Sequence, residues 1–385
     1  MHVLDTLKAR GFFNQCTDEA GLREHLATPR TFYIGFDPTA DSLHVGSLVQ
    51  LMAMAWLSRA GHHAIAVVGG GTAKVGDPSG RDSTRDILDT ERLAANKRGI
   101  AAQIAKFCDG KMVDNADWLD GLGYIEVLRT IGRHFSVNDM LRAESVRQRL
   151  DRQQGLSFIE FNYVLLQSYD YLELYRREGC TLQVGGGDQW YNIVSGMDLI
   201  RRLEGGHAFG LTTPLLTTAS GAKMGKTAAG AVWLDAARVT PYDYYQYWIN
   251  VDDRDVQRFL GLFTFLPLEA CVVEDVRLAK RLLALEATAV IHGREAALAA
   301  EAAALAAFAG GVNEGMPTVA VSFPVGVLAA LVATGVATSN SEARRMVEGN
   351  AVRFGDERVT DPKALLTAPG VLWAGKKKPF RLEPA

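Results

Sequence analysis

The stretch TFYIGFDPTADSLHVGS, Thr31 to Ser47, decides the fold. Its first six residues are apolar or β-favouring and read as a strand buried on both faces. A polar loop carrying Pro38 follows, and then Val45, Leu48, Val49, Met52, Ala55 and Trp56 recur at helical spacing until Gly61 stops the pattern. Strand, loop and helix in that order make one βα unit. Outward from it, His63 to Val68 reads as a second buried strand, Glu91 to Cys108 and Phe158 to Arg177 as helices, Thr181 to Val184 as a strand, Asp188 to Leu203 as a helix and Pro214 to Leu216 as a short strand. The rhythm predicts an α/β fold with a doubly wound parallel sheet over residues 1–235. Strand signals cease after Pro241. Segments such as Val256 to Phe265 and the alanine-rich Ala279 to Ala309 predict a helical domain over 236–312. Gly310-Gly311 through Pro317 suggests a linker, taken as 313–320, before a small α+β domain at 321–385 with two short helices and strands such as Ala351 to Phe354.

The 385 residues suffice for two or three domains, and 48% hydrophobic with 22% charged residues excludes extended disorder and fibrous repeats. A net charge of −3 gives no chain-wide affinity for nucleic acid or membrane, so any such surface must be local. The four cysteines, Cys16, Cys108, Cys180 and Cys271, form no C-x-x-C pair; neither a zinc site nor a disulfide framework is indicated, and a reducing cytoplasm fits best. The interleaved start MHVLDTLKARGFF is unlike a secretion signal, and no apolar run reaches membrane-spanning length.

Three groups of residues carry chemistry. The loop Gly35 to Ser47 opens into a helix, whose unpaired N–H groups favour phosphate, and Gly46 offers no side chain to obstruct a flat ligand. His44 there is a capping residue or a phosphate contact. Neither G-x-x-x-x-G-K-[ST] nor G-x-G-x-x-G occurs; Gly69-Gly70-Gly71 has the wrong spacing. Downstream, Ser220-Gly221-Ala222-Lys223-Met224-Gly225-Lys226-Thr227 places two lysines three apart, able to reach polyphosphate oxygens or simply solvent. Finally, Tyr163, Gln167 and Asp170 at i, i+4 and i+7 share one helix face beside apolar Val164, Leu165 and Leu166. Buried polar groups need partners, supplied either by each other or by a ligand.

The His44 loop and GAKMGKT together resemble the HIGH-type and KMSKS-type signatures of class I aminoacyl-tRNA synthetases. FYIGFDPTADSLHVGS, VGGGTAKVGDPSGR, YVLLQSYD, LQVGGGDQW and GAKMGKT, in that order, are similar to bacterial tyrosyl-tRNA synthetases over nearly the whole chain. The resemblance implies that Tyr33 and Asp170 bracket the phenolic hydroxyl of L-tyrosine, that Asp77, Tyr163 and Gln167 hold its α-ammonium group, and that Gln183 and Gln189 complete the pocket. It further implies that Gly35, Asp37, Gly46, Ser47, Gly186 and Asp188 border ATP. Thr39, His44, Lys223, Lys226 and Thr227 would face the phosphates, Mg²⁺ would accompany ATP, and Arg85 would engage pyrophosphate, with Arg81 either joining it or serving the surface. Ser47 departs from the pattern, standing where the HIGH signature usually ends in histidine.

The implied activity is a tyrosine–tRNA ligase that forms tyrosyl-adenylate from ATP and passes tyrosine to tRNA(Tyr). From Val321 onward there are nine Lys or Arg against six Asp or Glu, a balance of +3 that leaves −6 for the remainder. TSNSEARRMV and its surroundings resemble an S4-type RNA-binding module, so Arg344, Arg345, Lys376, Lys377 and Lys378 are expected to meet RNA phosphates. The family also implies a homodimer, with the stretch from Phe135 to Asp151 near the interface. Two other readings compete: a nucleotidylyltransferase acting on another small acid, and a non-catalytic RNA-binding protein on the same fold.

Overall fold

The computed structural model describes residues 1–77, 89–219, 221, 224, 226–227, 230–308, 316–355, 357–375 and 378–385. Short buried apolar runs become the strands of one six-stranded sheet: β1 (Gln15–Cys16), β2 (Thr31–Phe36), β3 (His63–Val68), β4 (Lys111–Asp114), β5 (Cys180–Gly186) and β6 (Phe209–Thr213). Their spatial order is β1-β6-β5-β2-β3-β4, parallel except for β1, which pairs antiparallel with β6 at the edge. The chain runs outward from β2 through β3 to β4, then returns to lay β5 and β6 on the other side. The winding therefore reverses between β2 and β5, and a crevice opens beyond their carboxyl ends, where open α/β sheets bind ligands.

The doubly wound parallel sheet is present. In register, Tyr33 of β2 lies beside Ile65 of β3 and Gln183 of β5. Helices Tyr163–Glu178 and Trp190–Glu204 cover the sheet, and Tyr33, Ile65, Tyr171, Leu172, Leu199 and Ile200 form one buried cluster between the layers.

Several local expectations need correction. The strand expected at Pro214–Leu216 lies one step earlier, as β6, because Pro214 has no N–H to extend the ladder. The single helix expected from Phe158 is two, Phe158–Phe161 and Tyr163–Glu178, interrupted at Asn162, whose side chain donates back to the Phe158 carbonyl. Thr318–Val321, partly assigned to the linker, is a strand pairing parallel with Lys378–Pro384.

The chain divides into two compact units. The first, 1–239 with 251–283, holds the six-stranded sheet; the second is 240–250 with 284–385. The helical stretch expected over 236–312 is thus shared between them. In the second unit, helix Pro241–Ile249 packs on Arg294–Phe308, and a five-stranded sheet with helices Val327–Ala333 and Asn340–Glu348 encloses a core including Val327, Leu331, Val347, Leu372 and Leu382. All four cysteines are free thiols. Among the described residues, no helix is long and apolar enough to cross a membrane.

Candidate active site

A cavity of about 490 Å³ occupies the crevice at the β2/β5 switch. On one side, β2, β5 and helix Tyr163–Glu178 bring together Tyr33, Gln183, Tyr163, Gln167 and Asp170, with Asp77 and Gln189 adjoining. On the other, the loop after β2 and the turn after β5 contribute Gly35, Asp37, Thr39, His44, Gly46, Ser47, Gly186 and Asp188. Two sequence groups separated by more than a hundred residues therefore face one space.

Asp170 is 4% exposed, yet both carboxylate oxygens are engaged: Asn115 Nδ2 donates to Oδ2 at 3.0 Å and Trp118 Nε1 donates to Oδ1 at 2.7 Å. Burial pushes its carboxyl up to about 7; the two N–H donors pull it down, while the charges of Asp37 and Asp114 add to the rise. Beside it, burial holds the Tyr33 phenol well above its ordinary value, so it stays neutral at physiological pH. Tyr33 OH and Gln183 Oε1 have no hydrogen-bond partner among the described residues, although each residue is no more than 3% exposed. As register neighbours in parallel strands, they present their side chains on one face of the sheet. A buried hydroxyl and amide oxygen left unpaired cost roughly 1–3 kcal/mol each unless a ligand completes them.

A second network ties the neighbouring groups. Gln189 Nε2 donates to Asp77 Oδ2 at 2.8 Å, and Asn192 Nδ2 donates to Gln167 Oε1 at 3.1 Å and Gln189 Oε1 at 3.3 Å. Asn192, 6% exposed on helix Trp190–Glu204, thereby orients residues from three different segments.

The opposite side is shaped by backbone. His44 caps the short 3₁₀ turn Val45–Ser47, its Nδ1 accepting from Gly46 N at 3.0 Å. That bond leaves the ring proton on Nε2: one nitrogen caps and the other is a donor. Gly46 also has a reason internal to the loop. A Cβ there would approach the His44 ring to 2.7 Å before any ligand arrived. Ser47 makes no side-chain cap to the helix Leu48–Arg59 that follows. The loop is fastened from behind by buried Asn96 and Gln103 of helix Thr90–Ile104. Asn96 donates to the Pro38 carbonyl, while Gln103 donates to Ser42 Oγ and accepts from Leu43 N. Backbone bonds from Val45 N to the Val232 carbonyl and from Leu234 N to the Leu43 carbonyl hold its far side.

The Gly69-Gly70-Gly71 run also finds its purpose. Gly70 N donates to Asp114 and Gly71 N to Asn115, and a Cβ on Gly70 would come within 2.2 Å of Asp114. The three glycines seat the turn that aims Asn115 at Asp170. Sequence reading missed Asn115, Trp118 and Asn192; the signal available was only that a buried Asp170 must have donors. Arg81, Arg85 and Lys223 lie outside the described residues, as do the side chains of Lys226 and Thr227, which stand on the strand Lys226–Thr227. In the second unit, Arg344 and Arg345 are exposed on helix Asn340–Glu348, whereas Lys376, Lys377 and the Lys378 side chain are not described.

Residues 26–309 match the family of tRNA synthetases class I (W and Y), and residues 308–372 match the tyrosine–tRNA ligase SYY-like C-terminal domain. The tyrosine–tRNA ligase of Nitrobacter winogradskyi is 52% identical, with 99% of this chain and 98% of that one covered; that of Methylocella silvestris is also 52% identical, at 94% and 91%. Among solved structures, a C-terminally truncated mitochondrial tyrosyl-tRNA synthetase from Aspergillus nidulans superposes with a TM-score of 0.70 at 29% identity, covering 78% of this chain and 92% of that one.

Proposed function

The chain belongs to the class I tyrosyl-tRNA synthetases, and from that membership we propose how its own residues divide the work of a tyrosine–tRNA ligase. The enzyme joins tyrosine to tRNA at the expense of ATP. Both competing readings fall with the family.

Tyrosine occupies the buried half of the cavity. Its phenolic hydroxyl donates to Asp170 and meets Tyr33. Its α-ammonium group is held by Asp77, Tyr163 and Gln167, with Gln183 and Gln189 closing the pocket. The observation that carries this assignment is the engaged carboxylate of Asp170 beside the orphaned Tyr33 hydroxyl and Gln183 oxygen. Phenylalanine lacks the oxygen and would leave those buried groups without that partner.

ATP lies along the glycine-lined half. Gly35, Asp37, Gly46, Ser47, Gly186 and Asp188 border the nucleoside; Thr39 and the Nε2–H of His44 face the phosphates, joined by Lys223, Lys226, Thr227 and Arg85 from their motifs. The tyrosine carboxylate attacks the α-phosphorus in line, an oxygen–phosphorus bond forms, and pyrophosphate leaves with the electrons of the broken bond. No general base is required because the nucleophile is already ionised. Positioning and N–H donors toward the developing charge do the work. A ribose hydroxyl of the terminal adenosine of tRNA then attacks the carbonyl carbon, loses its proton, and AMP departs. Mg²⁺ enters with ATP: the ion ordinarily binds through substrate phosphates and water.

The second unit offers Arg344 and Arg345 to RNA phosphates, joined by the run Lys376 to Lys378 further along the chain. We retain the three-part division into catalytic, helical and S4-like domains. A second copy of the chain covers the stretch from Phe135 to Asp151, where Val137, Leu141 and Leu150 are 40–59% exposed. The free thiols suit the reducing cytoplasm. The deciding experiment is ATP–pyrophosphate exchange with each of the twenty amino acids: exchange driven predominantly by tyrosine supports the site assignment, and predominant use of another acid defeats it.

A further inference from the structure

Helix Asp253–Phe263 belongs to the first unit and touches the cavity only through others. Leu215, Leu216 and Thr217 form one rim of the cavity, and the chain passes from Ala219 directly into SGAKMGKT. Two residues near the start of that helix grip this rim by its backbone. Asp255, 3% exposed, accepts from Ala219 N at 2.8 Å through Oδ2; its Oδ1 accepts from Arg258 at 2.7 Å; and Arg258 donates to the Thr217 carbonyl at 2.5 Å. The rim is also closed on itself, Met224 N donating to the Leu216 carbonyl at 3.0 Å.

The other end of the helix is bolted to the body of the unit. Arg10, 5% exposed on helix Val3–Arg10, donates to the carbonyls of Gly261, Thr264 and Leu266, and its guanidinium stacks over Trp56 at 3.9 Å. Trp56 lies on helix Leu48–Arg59, the same helix that begins just after His44 and Ser47. One rigid rod thus connects the rim before GAKMGKT to the helix that carries the other nucleotide-facing loop.

We propose that Asp255 and Arg258 are positioning residues for the ATP half of the site, setting the height of the Thr217–Ala219 rim relative to the His44 loop. A carboxylate seated in the first turn of a helix is favoured by the helix dipole, and its burial between a backbone N–H and a guanidinium makes the arrangement stiff. The inference rests on the assignment of ATP to this cavity.

The test uses the full-length protein, with Asp255→Ala, Asp255→Asn, Arg258→Ala and the double variant alongside His44→Ala. The measurements are KM for ATP and kcat in pyrophosphate exchange, equilibrium tyrosine binding, and the thermal midpoint. Asp255→Ala should lower kcat/KM for ATP about 10- to 100-fold while tyrosine affinity stays within about twofold. Asp255→Asn keeps an acceptor for Ala219 and should recover most of the loss; should the alanine variant fail to fold, Arg258→Ala carries the test, with kcat/KM for ATP expected to fall at unchanged tyrosine affinity. The double variant should lose little more than the larger single loss, since both act through one contact. ATP parameters unchanged by Asp255→Ala or, where that variant does not fold, by Arg258→Ala, or ATP and tyrosine affinities falling equally, would overturn the proposal. If His44→Ala also leaves exchange intact, the cavity assignment itself is wrong; a deficient His44 variant beside unaffected Asp255 variants removes only the present inference.

Discussion

The two halves of the cavity are built by opposite means. On the side proposed for tyrosine, polar side chains are buried and tied by other side chains: Asp170 by Asn115 and Trp118, Gln167 and Gln189 by Asn192. On the side proposed for the nucleotide, the surface is loop and glycine, and the fastening comes from behind, through Asn96, Gln103 and the Asp255–Arg258 pair. A preorganised, desolvated network reads a small molecule by what would be left unpaired. A backbone-lined trough instead accommodates a large anion whose charge distribution changes during reaction. Specificity and turnover should therefore fail separately.

The sharpest break is expected at Asp170. Asp170→Ala strands the Asn115 and Trp118 donors and removes the acceptor for the substrate hydroxyl, about 4 kcal/mol in all, so kcat/KM for tyrosine should fall roughly 1,000-fold while KM for ATP changes little. Equal damage to both substrates would erase the contrast. His44→Ala should produce the mirror image: about a 100-fold loss of kcat in pyrophosphate exchange with tyrosine binding unchanged by equilibrium dialysis. Asn115→Ala is expected to cost about tenfold in tyrosine affinity, because it frees one carboxylate oxygen of Asp170 and removes the acceptor of the Gly71 N–H in the three-glycine turn.

The pH dependence sharpens the comparison further. Burial raises the Asp170 carboxyl to about 7, and the ionised form is the stronger acceptor for the substrate hydroxyl. Tyrosine affinity should weaken as pH falls through about 7 and level off at the weaker affinity of the protonated acid, with ATP affinity far less affected, and Asp170→Asn should flatten the tyrosine profile. The sign for stability is the reverse. With its folded value above its unfolded one near 4, the carboxyl contributes stability at low pH that disappears as pH rises through about 7. The smallest effect belongs to Ser47→His, which should alter KM for ATP less than about threefold, since the serine side chain caps nothing.

The loop-lined half of the cavity was more legible in the sequence than the half tied by side chains. β2 and β3 are uninterrupted apolar runs, and the loop after β2 has glycine, proline and histidine at telling positions, so sheet and cradle could be placed together. Tyr163, Gln167 and Asp170 could be put on one face by spacing alone. Their partners could not. Asn115 and Trp118 stand 55 and 52 positions from Asp170 and follow β4, four residues with Lys111 and Asp114 at its ends, too short and too polar to register as a buried strand. Asp255 and Arg258 read as an ordinary i,i+3 pair on a helix surface; only the fold brings Ala219 and Thr217 against them.

The pair of N–H groups aimed at Asp170 bears on redesign of the amino-acid pocket. Shortening that carboxylate to glycine would open space at the para position of the ring and leave the indole and the amide pointing into it as donors. A phenylalanine derivative bearing a nitro, acyl or cyano substituent supplies the acceptor those donors lack, so the altered enzyme would discriminate by polarity reversed from the natural amino acid. Adding Trp118→Phe would remove one donor and shift acceptance toward halogenated or alkylated rings.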